Sequence, residues 1–325
     1  MRREIIVGTR ESRLAIWKAR WVIKQLKKFN PEYNYRIKGI RTQGDNILDV
    51  ALAKIGDKGL FTKELDYAIL RGKIDMAVHS MKDMPTVLPD GLTIGAVCER
   101  EYPGDVLIAH GGRSLAELPA GAVIGTSSLR RSAQILRYRK DLKTVNLRGN
   151  VQTRIKKLDQ KYFDATILAY AGVHRMGLDH RISQVLPFEI LLPAAGQGSV
   201  GVEAASEDDE ILALVKNINH TDSRLAVSAE RAFLKKLEGG CQVPIGAHAA
   251  VEGDCMRLEG AVFSLDGADM VRASMIGDIT EAELLGVKLA EKLLASGAGE
   301  ILSKMRQENR CDGSRYRISC RRRAG

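Results

Sequence analysis

Short apolar segments alternate with segments of helical periodicity along the first two thirds of the chain, and this alternation constrains the fold more than any other feature. Residues 4–7 have the pattern of a strand, and Ile74–His79 is another apolar segment, which ends in a polar loop. The first intervening segment has an apolar stripe at helical spacing, formed by Ala15, Ala19, Val22 and Leu26. Strands that alternate with helices predict an α/β fold with mainly parallel sheets.

The alternation occurs twice, which predicts two α/β lobes. Ser199–Ala205 has a strand pattern, and we expect it to return to the first lobe, because two lobes joined by crossing strands form a hinged cleft. From about His220 one helix, three alternating segments and another helix indicate a small α+β domain with an antiparallel three-stranded sheet. The expected divisions are 1–98 with 196–218, 99–195, 219–305, and a basic tail at 306–325 that we expect to be disordered.

The composition indicates a globular protein with anionic partners. Of 325 residues, 45% are hydrophobic and 28% are charged, and 50 Lys and Arg against 40 Asp and Glu give a net charge of +10. The N-terminal residues lack the apolar run of a signal peptide, and no stretch approaches the roughly 20 apolar residues of a membrane span. The five cysteines form no CxxC pair, which favours a reducing compartment, and we expect the cytoplasm.

The most specific local signal is the segment GTSSLRR at residues 125–131. A strand ends there, hydroxyl side chains are placed to cap the next helix, and Arg130 and Arg131 fall in its first turn. Because helix N-termini present free N–H groups and favour acidic neighbours, two arginines at this place indicate an anion site. The alternative, a plain serine cap with solvated arginines, is equally compatible with this segment alone.

Further basic residues recur where predicted strands end or the next helix begins. They are Arg10, Lys82, Arg148, Arg154 and Arg175. Open α/β sheets bind ligands at the ends of their strands, and arginine binds carboxylates through paired hydrogen bonds. The recurrence predicts a ligand with several carboxylates.

Two residues are candidates for chemistry. Asp83 directly follows a buried-looking strand, where a carboxylate can move protons or stabilise a cation, although turns before proline also favour aspartate. Cys241 lies in the turn Gly-Gly-Cys-Gln, which would present a thiol to a covalent partner. An inert cysteine is the competing interpretation, since free cysteines usually behave as small apolar residues.

Three other classes of site are disfavoured. The GxGxxG pattern at residues 196–201 precedes a strand rather than a helix, which argues against a nicotinamide site. The six histidines show no ligand spacing, so we expect no metal. Aromatic residues make up 5% of the chain, whereas a nucleic-acid binder should interleave aromatic and basic side chains.

Seven segments taken together resemble the porphobilinogen deaminase family. They are GTRESRLA, GDKGLFTKEL, AVHSMKDMP, GTSSLRRSAQ, NLRGNVQTR, PAAGQGSVG and GGCQVPIGA. They occur in the family's order and span about Ile5 to Leu302. The resemblance implies two lobes similar to periplasmic binding proteins and a small third domain.

The resemblance also implies roles for individual residues. Cys241 matches the cysteine that carries one covalent dipyrromethane cofactor per chain through a thioether, and Asp83 matches the catalytic aspartate. The implied cofactor- and substrate-binding residues are Arg10, Ser12, Lys58, Phe61, Lys82, Thr126, Ser127, Ser128, Arg130, Arg131, Arg148, Gly149, Arg154, Arg175 and Gln197.

The implied reaction is the stepwise deamination and head-to-tail condensation of four porphobilinogen molecules onto the bound dipyrromethane. Water then releases hydroxymethylbilane, the linear tetrapyrrole of haem biosynthesis. Each porphobilinogen adds an acetate and a propionate, which explains the arginines. We expect a monomer without nucleic-acid or membrane partners. The alternative is a two-lobed solute-binding protein for an acidic small molecule, which would need a signal peptide and would have no use for Cys241.

Overall fold

Three β-sheets organise the chain, which a computed structural model describes at residues 4–46, 59–238 and 243–307. Their strands are β1 (Glu4–Thr9), β2 (Asn34–Gly39), β3 (Met76–Ser80), β4 (Leu92–Val97), β5 (Asp105–Ala109), β6 (Val123–Gly125), β7 (Lys143–Val145), β8 (Ala165–Ala169), β9 (Gln184–Leu186), β10 (Val200–Ala205), β11 (Ile245–Glu252), β12 (Cys255–Phe263) and β13 (Met270–Asp278).

Helices cover the sheets. They are α1 (Arg13–Phe29), α2 (Gln43–Asn46), α3 (Lys63–Leu70), α4 (Leu129–Tyr138), α5 (Val151–Asp159), α6 (Tyr170–Arg175), α7 (Asp209–Lys216), α8 (Thr221–Lys236) and α9 (Ala282–Leu293). A further helical segment covers residues 299–307.

The sheet topology confirms two α/β lobes and a small antiparallel domain. The first sheet has the order β2-β1-β3-β10-β4, the second β7-β6-β8-β5-β9, and the third β11-β12-β13. In each five-stranded sheet two pairings are parallel and two are antiparallel. The antiparallel pairings involve β5 and β10, the strands that follow the two crossings between the sheets, so crossing explains why the sheets are mixed.

The first helix shows how the sequence builds a lobe. Ser12 caps α1, because its hydroxyl accepts a hydrogen bond from the Ala15 amide at 3.3 Å. The stripe on α1 packs on the first sheet, and Val22 and Leu26 are fully buried. Burying an aliphatic side chain of this size stabilises the fold by about 1.5–3 kcal/mol. Lys18 also lies on this buried face.

Glycines allow close packing in the third domain. A Cβ on Gly260 of β12 would lie 2.4 Å from the Phe233 ring of α8, and one on Gly286 of α9 would lie 2.3 Å from the Ala229 carbonyl oxygen. Phe233 is fully buried between these elements. The close contact of α8 with the sheet and with α9 therefore depends on two positions without side chains.

Candidate active site

Asp83 lies at the end of a one-turn 3-10 helix, Met81–Asp83, that directly follows β3. The Met81 amide donates to the Ser199 carbonyl at 3.1 Å, which ties the turn to the segment before β10. Asp83 lines a cavity of about 70 Å³ together with residues from the turn after β1, from α1 and β3, and from the segment before α3. The carboxylate is therefore held at the mouth of the first lobe, where the parallel strands end.

Three cations face Asp83. Burial lowers the pKa of Lys18 to about 7, and burial with the nearby Arg131 charge lowers that of Lys82 to about 8. Burial and the charge of Arg131 lower the pKa of Arg154 to about 10. In all three cases the charge of Asp83 opposes the shift, so cations from both lobes lie within electrostatic reach of this carboxylate.

Arg10 is already engaged by an internal carboxylate. Its guanidinium forms two hydrogen bonds with Asp45, one of them from Nε to Oδ2 at 3.2 Å, and lies 4.3 Å from the centroid of the Phe61 ring. Burial acts to raise the pKa of Asp45, but the hydrogen bonds and charge of Arg10 outweigh it and lower the pKa. Thr42 supports Asp45 through its hydroxyl at 2.8 Å.

Asp105 forms ion pairs with both Arg130 and Arg131. Arg130 Nη2 donates to Asp105 Oδ2 at 2.8 Å, and Arg131 Nη2 donates to Oδ1 at 2.7 Å. All three side chains are buried. Ser128 caps α4 as predicted, accepting from the Arg131 amide at 3.4 Å. The predicted first-turn arginines thus share one buried counter-charge, which the sequence did not reveal.

Gln197 connects this arginine pair to the turn that carries Asp83. Its Oε1 accepts a hydrogen bond from Lys82 Nζ at 3.2 Å, and its Nε2 donates to Asp105 Oδ1 at 3.0 Å. In the loop before α4, the Ser127 hydroxyl donates to the Leu147 carbonyl at 2.6 Å, and Thr126 Oγ1 accepts from the Ser128 amide at 3.2 Å. The hydroxyl residues shape the loop as well as capping the helix.

The remaining predicted cations lie on the second lobe. Arg154 Nε donates to the Gly149 carbonyl at 2.8 Å, and burial lowers the pKa of Arg148. Gly149 has φ +119°, a conformation that favours glycine. Arg175 Nη2 donates to the Gly198 carbonyl at 2.8 Å, and burial lowers its pKa too.

Lys58 and Cys241 lie outside the described residues. Of the groups that sequence reasoning missed, Lys18 lines the cavity, Asp45 pairs with Arg10, and Asp105 pairs with the first-turn arginines. A lysine within an apolar helical stripe can be seen in the sequence and is a sign of a buried cation. The two aspartates gave no such sign, because their partners are remote in sequence.

The described ranges show neither a metal-binding cluster nor a helix suited to crossing a membrane. Residues 4–46, 59–238 and 243–307 contain no group of three or more His, Cys, Asp or Glu side chains arranged to hold a metal ion. Among the helices of these same ranges, none combines the length and apolar character that crossing a membrane requires.

A cleft in which Asp83 lies among several buried cations is suited to a protein that binds or acts on a small polyanion. Family models match the chain at residues 5–213, as "porphobilinogen deaminase, dipyromethane cofactor binding domain", and at residues 224–295, as "porphobilinogen deaminase, C-terminal domain". The chain therefore belongs to the porphobilinogen deaminase family, which confirms the resemblance seen in the sequence.

Curated relatives are similar in sequence to almost the whole of this chain. The porphobilinogen deaminase of Pelotomaculum thermopropionicum is 62% identical over 310 residues, covering 95% of this chain and 99% of its own. That of Desulforudis audaxviator is 57% identical over 306 residues, with coverages of 94% and 99%. Among solved structures, the periplasmic aliphatic sulphonate binding protein of Escherichia coli matches with 15% identity and a TM-score of 0.40, over 73% of this chain and 71% of its own.

The described residues fit the cofactor of this family. A dipyrromethane carries acetate and propionate arms, and Lys18, Lys82 and Arg154 are cations whose pKa values are lowered by burial and by neighbouring cations. Such mutual repulsion is relieved when carboxylates enter the cleft. Porphobilinogen, the substrate of the family, presents the same arms.

Proposed function

We propose that Asp83 is the catalytic residue of this porphobilinogen deaminase and that the cations around it hold the carboxylate arms of cofactor and substrate. The observation that carries the proposal is the convergence of Lys18, Lys82 and Arg154 on Asp83. A lone carboxylate in a cationic cleft accepts hydrogen bonds from pyrrole N–H groups, while the cations bind the carboxylate arms.

The reaction needs a negative charge beside the pyrrole ring. Loss of ammonia from the aminomethyl arm leaves positive charge on the ring of the substrate, and condensation creates positive charge again. Ionised Asp83 stabilises this charge, accepts a pyrrole N–H hydrogen bond and holds the proton that must leave. When bound, the dipyrromethane supplies the free α-carbon on which the chain grows. The tetrapyrrole hydroxymethylbilane is finally released by water.

The residues that would hold the dipyrromethane come from both lobes. We propose Lys82 and the α4 N-terminus as one anion-binding side, where Ser128 caps the helix and Asp105 fixes the arginines. Arg148 and Arg154 form the other side. Cys241 is proposed as the thioether attachment point, and Lys58 as a further cation beside the cleft.

Three further statements belong to the proposal. The chain divides into 1–98 with 196–218, 99–195 and 219–305, a division supported by the three sheets. We propose a monomeric cytoplasmic enzyme without nucleic-acid or membrane partners. The expectation that the basic tail at 306–325 is disordered stays a prediction, since the tail lies largely outside the described residues.

The test is the intact mass of the purified protein, combined with peptide mapping around Cys241. We expect an adduct equal to two deaminated porphobilinogen units on the peptide that contains Cys241. If the thiol is unmodified, the protein is incubated with porphobilinogen and weighed again. A deaminase then acquires the adduct, whereas a solute-binding protein of similar fold does not, and a thiol that stays free would contradict the proposal.

A further inference from the structure

Lys18 is a buried cation that none of the sequence motifs singled out. It lies on the apolar face of α1 and is 6% exposed. Its ammonium donates one hydrogen bond, to Ser80 Oγ at 2.7 Å. Burying an ammonium costs free energy unless all its donors find partners. Within residues 4–46, 59–238 and 243–307, Ser80 is the acceptor it reaches, which leaves two N–H donors on a side chain that lines the cavity.

The cavity in front of Lys18 has the size of a carboxylate arm. Its volume is about 70 Å³, which is the liquid volume of roughly two water molecules. A whole pyrrole with both arms is larger than this space. Asp83 lines the same cavity, so a carboxylate arm that enters it brings its own ring towards the catalytic carboxylate.

The charges that face Lys18 come from several elements. Asp83 follows β3 and favours the ammonium, whereas Arg10 after β1, Arg175 of α6 and Lys82 disfavour it. Burial is the largest influence, and together these effects lower the pKa of Lys18 to about 7. Asp45 offsets the charge of Arg10, and the remaining balance of charge around Lys18 still favours an entering anion.

We propose that Lys18 Nζ binds a carboxylate arm of porphobilinogen inside the Asp83 cavity and thereby sets the affinity for the substrate. This inference rests on the proposed function and assigns a specific role to one of its cations. Two N–H donors directed into a carboxylate-sized space match an acetate or propionate group. Ser80 holds the third donor and fixes the direction of the side chain.

The pH dependence follows from the charge of Lys18. An entering carboxylate favours the ammonium, so the pKa of Lys18 is higher in the complex than in the free enzyme. The affinity is then complete below about pH 7, the pKa of the free enzyme, and falls as the pH rises towards the pKa of the complex. The KM of the wild-type enzyme therefore rises on the alkaline side of neutrality.

Two substitutions separate charge from shape. Lys18→Gln keeps a hydrogen-bond donor for Ser80 and removes the charge, so we expect KM to rise roughly 10- to 100-fold at neutral pH, the loss of one charge-assisted hydrogen bond. We expect kcat to change much less. Lys18→Arg keeps a permanent charge, so its KM stays close to the wild-type value while the alkaline rise of KM is lost. Lys24→Gln, at an exposed position of the same helix, is the control and leaves KM unchanged.

A binding measurement makes the result independent of turnover. The increase in melting temperature caused by excess porphobilinogen should be smaller in Lys18→Gln than in wild type, and unaffected in Lys24→Gln. An unchanged KM and an unchanged thermal shift in Lys18→Gln would overturn the proposal. So would a variant that loses kcat and stability while KM keeps its pH slope, since that pattern describes a structural lysine. Failure of the proposed function shows separately, as wild-type protein that binds porphobilinogen without converting it.

Discussion

Arg131 Nη2 donates a hydrogen bond of 2.7 Å to Asp105 Oδ1, and both side chains are buried. Arg130 donates to the second oxygen of the same carboxylate at 2.8 Å. Asp105 thus holds two guanidiniums side by side at the N-terminus of α4. One negative charge for two positive ones keeps a net positive charge at an end of the helix that also favours anions.

Asp105→Asn tests whether this carboxylate supports the arginine pair. Asparagine keeps the shape and removes the charge, which leaves two buried guanidiniums without a counter-charge. We expect the free energy of unfolding to fall by about 3–5 kcal/mol, measured by urea denaturation. The surface pair of Asp159 with Arg181 is the control, and Asp159→Asn should change the free energy by less than about 1 kcal/mol.

The difference in stability between wild type and Asp105→Asn should also depend on pH. Burial acts to raise the pKa of Asp105, but the charges of Arg130 and Arg131 outweigh it and hold the pKa well below its usual range. A lowered pKa contributes stability above the unfolded value of about 4, and this contribution is lost as the pH falls below it. The difference in stability between wild type and Asp105→Asn should therefore narrow as the pH is lowered from neutrality towards 2. A constant difference would contradict this account.

Asp83→Asn removes the charge proposed to stabilise the pyrrole cation. We expect kcat to fall by about 100-fold or more, the usual contribution of such a group, with little change in melting temperature. Because the charge of Asp83 raises the pKa of Lys18, that pKa should also fall below about 7 in the variant, which NMR of labelled lysine can measure. Near-normal turnover would remove Asp83 from the mechanism. Asp90→Asn, at an exposed position, is the control.

The sequence predicted the architecture because buried apolar residues recur at the period of the helix or strand that carries them. The three-stranded sheet and the serine-capped helix α4 were both predicted, since alternation and a serine cap are local signals. The strand β5 was not predicted, and neither were α6 and β9, whose six and three residues are too few to show a period.

The site was predicted as a set of cations but not as a network. Motifs identified Asp83 and the arginines one at a time, while the partners of these arginines depend on the tertiary fold. Asp45 and Arg10 are separated by 35 residues, and Asp105 and Arg131 by 26. Lys18 was missed for another reason, since the apolar stripe of α1 was read without asking why a lysine lies within it.

Glu230→Gln tests the contact that joins α8 of the third domain to the two segments that connect the lobes. Glu230 is fully buried and accepts two hydrogen bonds from Arg100, at 2.7 and 3.0 Å. It also accepts from the amides of Gly196 and Ala249, both at 2.7 Å. Glutamine leaves Arg100 without a counter-charge, so we expect a loss of about 3–5 kcal/mol in the free energy of unfolding.

A matched control for this substitution exists on the surface of the neighbouring helix α9. Glu291 pairs with Lys236 of α8 at 2.8 Å, with both side chains well exposed. Glu291→Gln should change the stability by less than about 1 kcal/mol in the same denaturation experiment. Equal effects of the two substitutions would show that the Arg100 pair does not hold the domains together.

Gly196→Ala tests whether activity depends on the position of the turn that carries Asp83. Gly196 has φ +72°, and a Cβ there would lie 2.8 Å from Met81 Cβ and 3.2 Å from the Lys82 amide nitrogen. The added methyl group must displace the turn that carries Asp83. We expect a loss of stability of about 1–3 kcal/mol and a fall in kcat of roughly 10- to 100-fold, because small displacements of catalytic groups are costly.

Gly177→Ala separates backbone strain from displacement of the turn. Gly177 has a similar φ of +67°, and a Cβ there would meet nothing within 4 Å. Both substitutions carry the strain of a left-handed alanine, about 1–2 kcal/mol, but only Gly196→Ala pushes against Met81 and Lys82. Gly177→Ala should therefore lose some stability and keep the wild-type kcat. If both variants keep the wild-type kcat, the position of the turn tolerates this displacement, and Asp83 acts without the close support of Gly196.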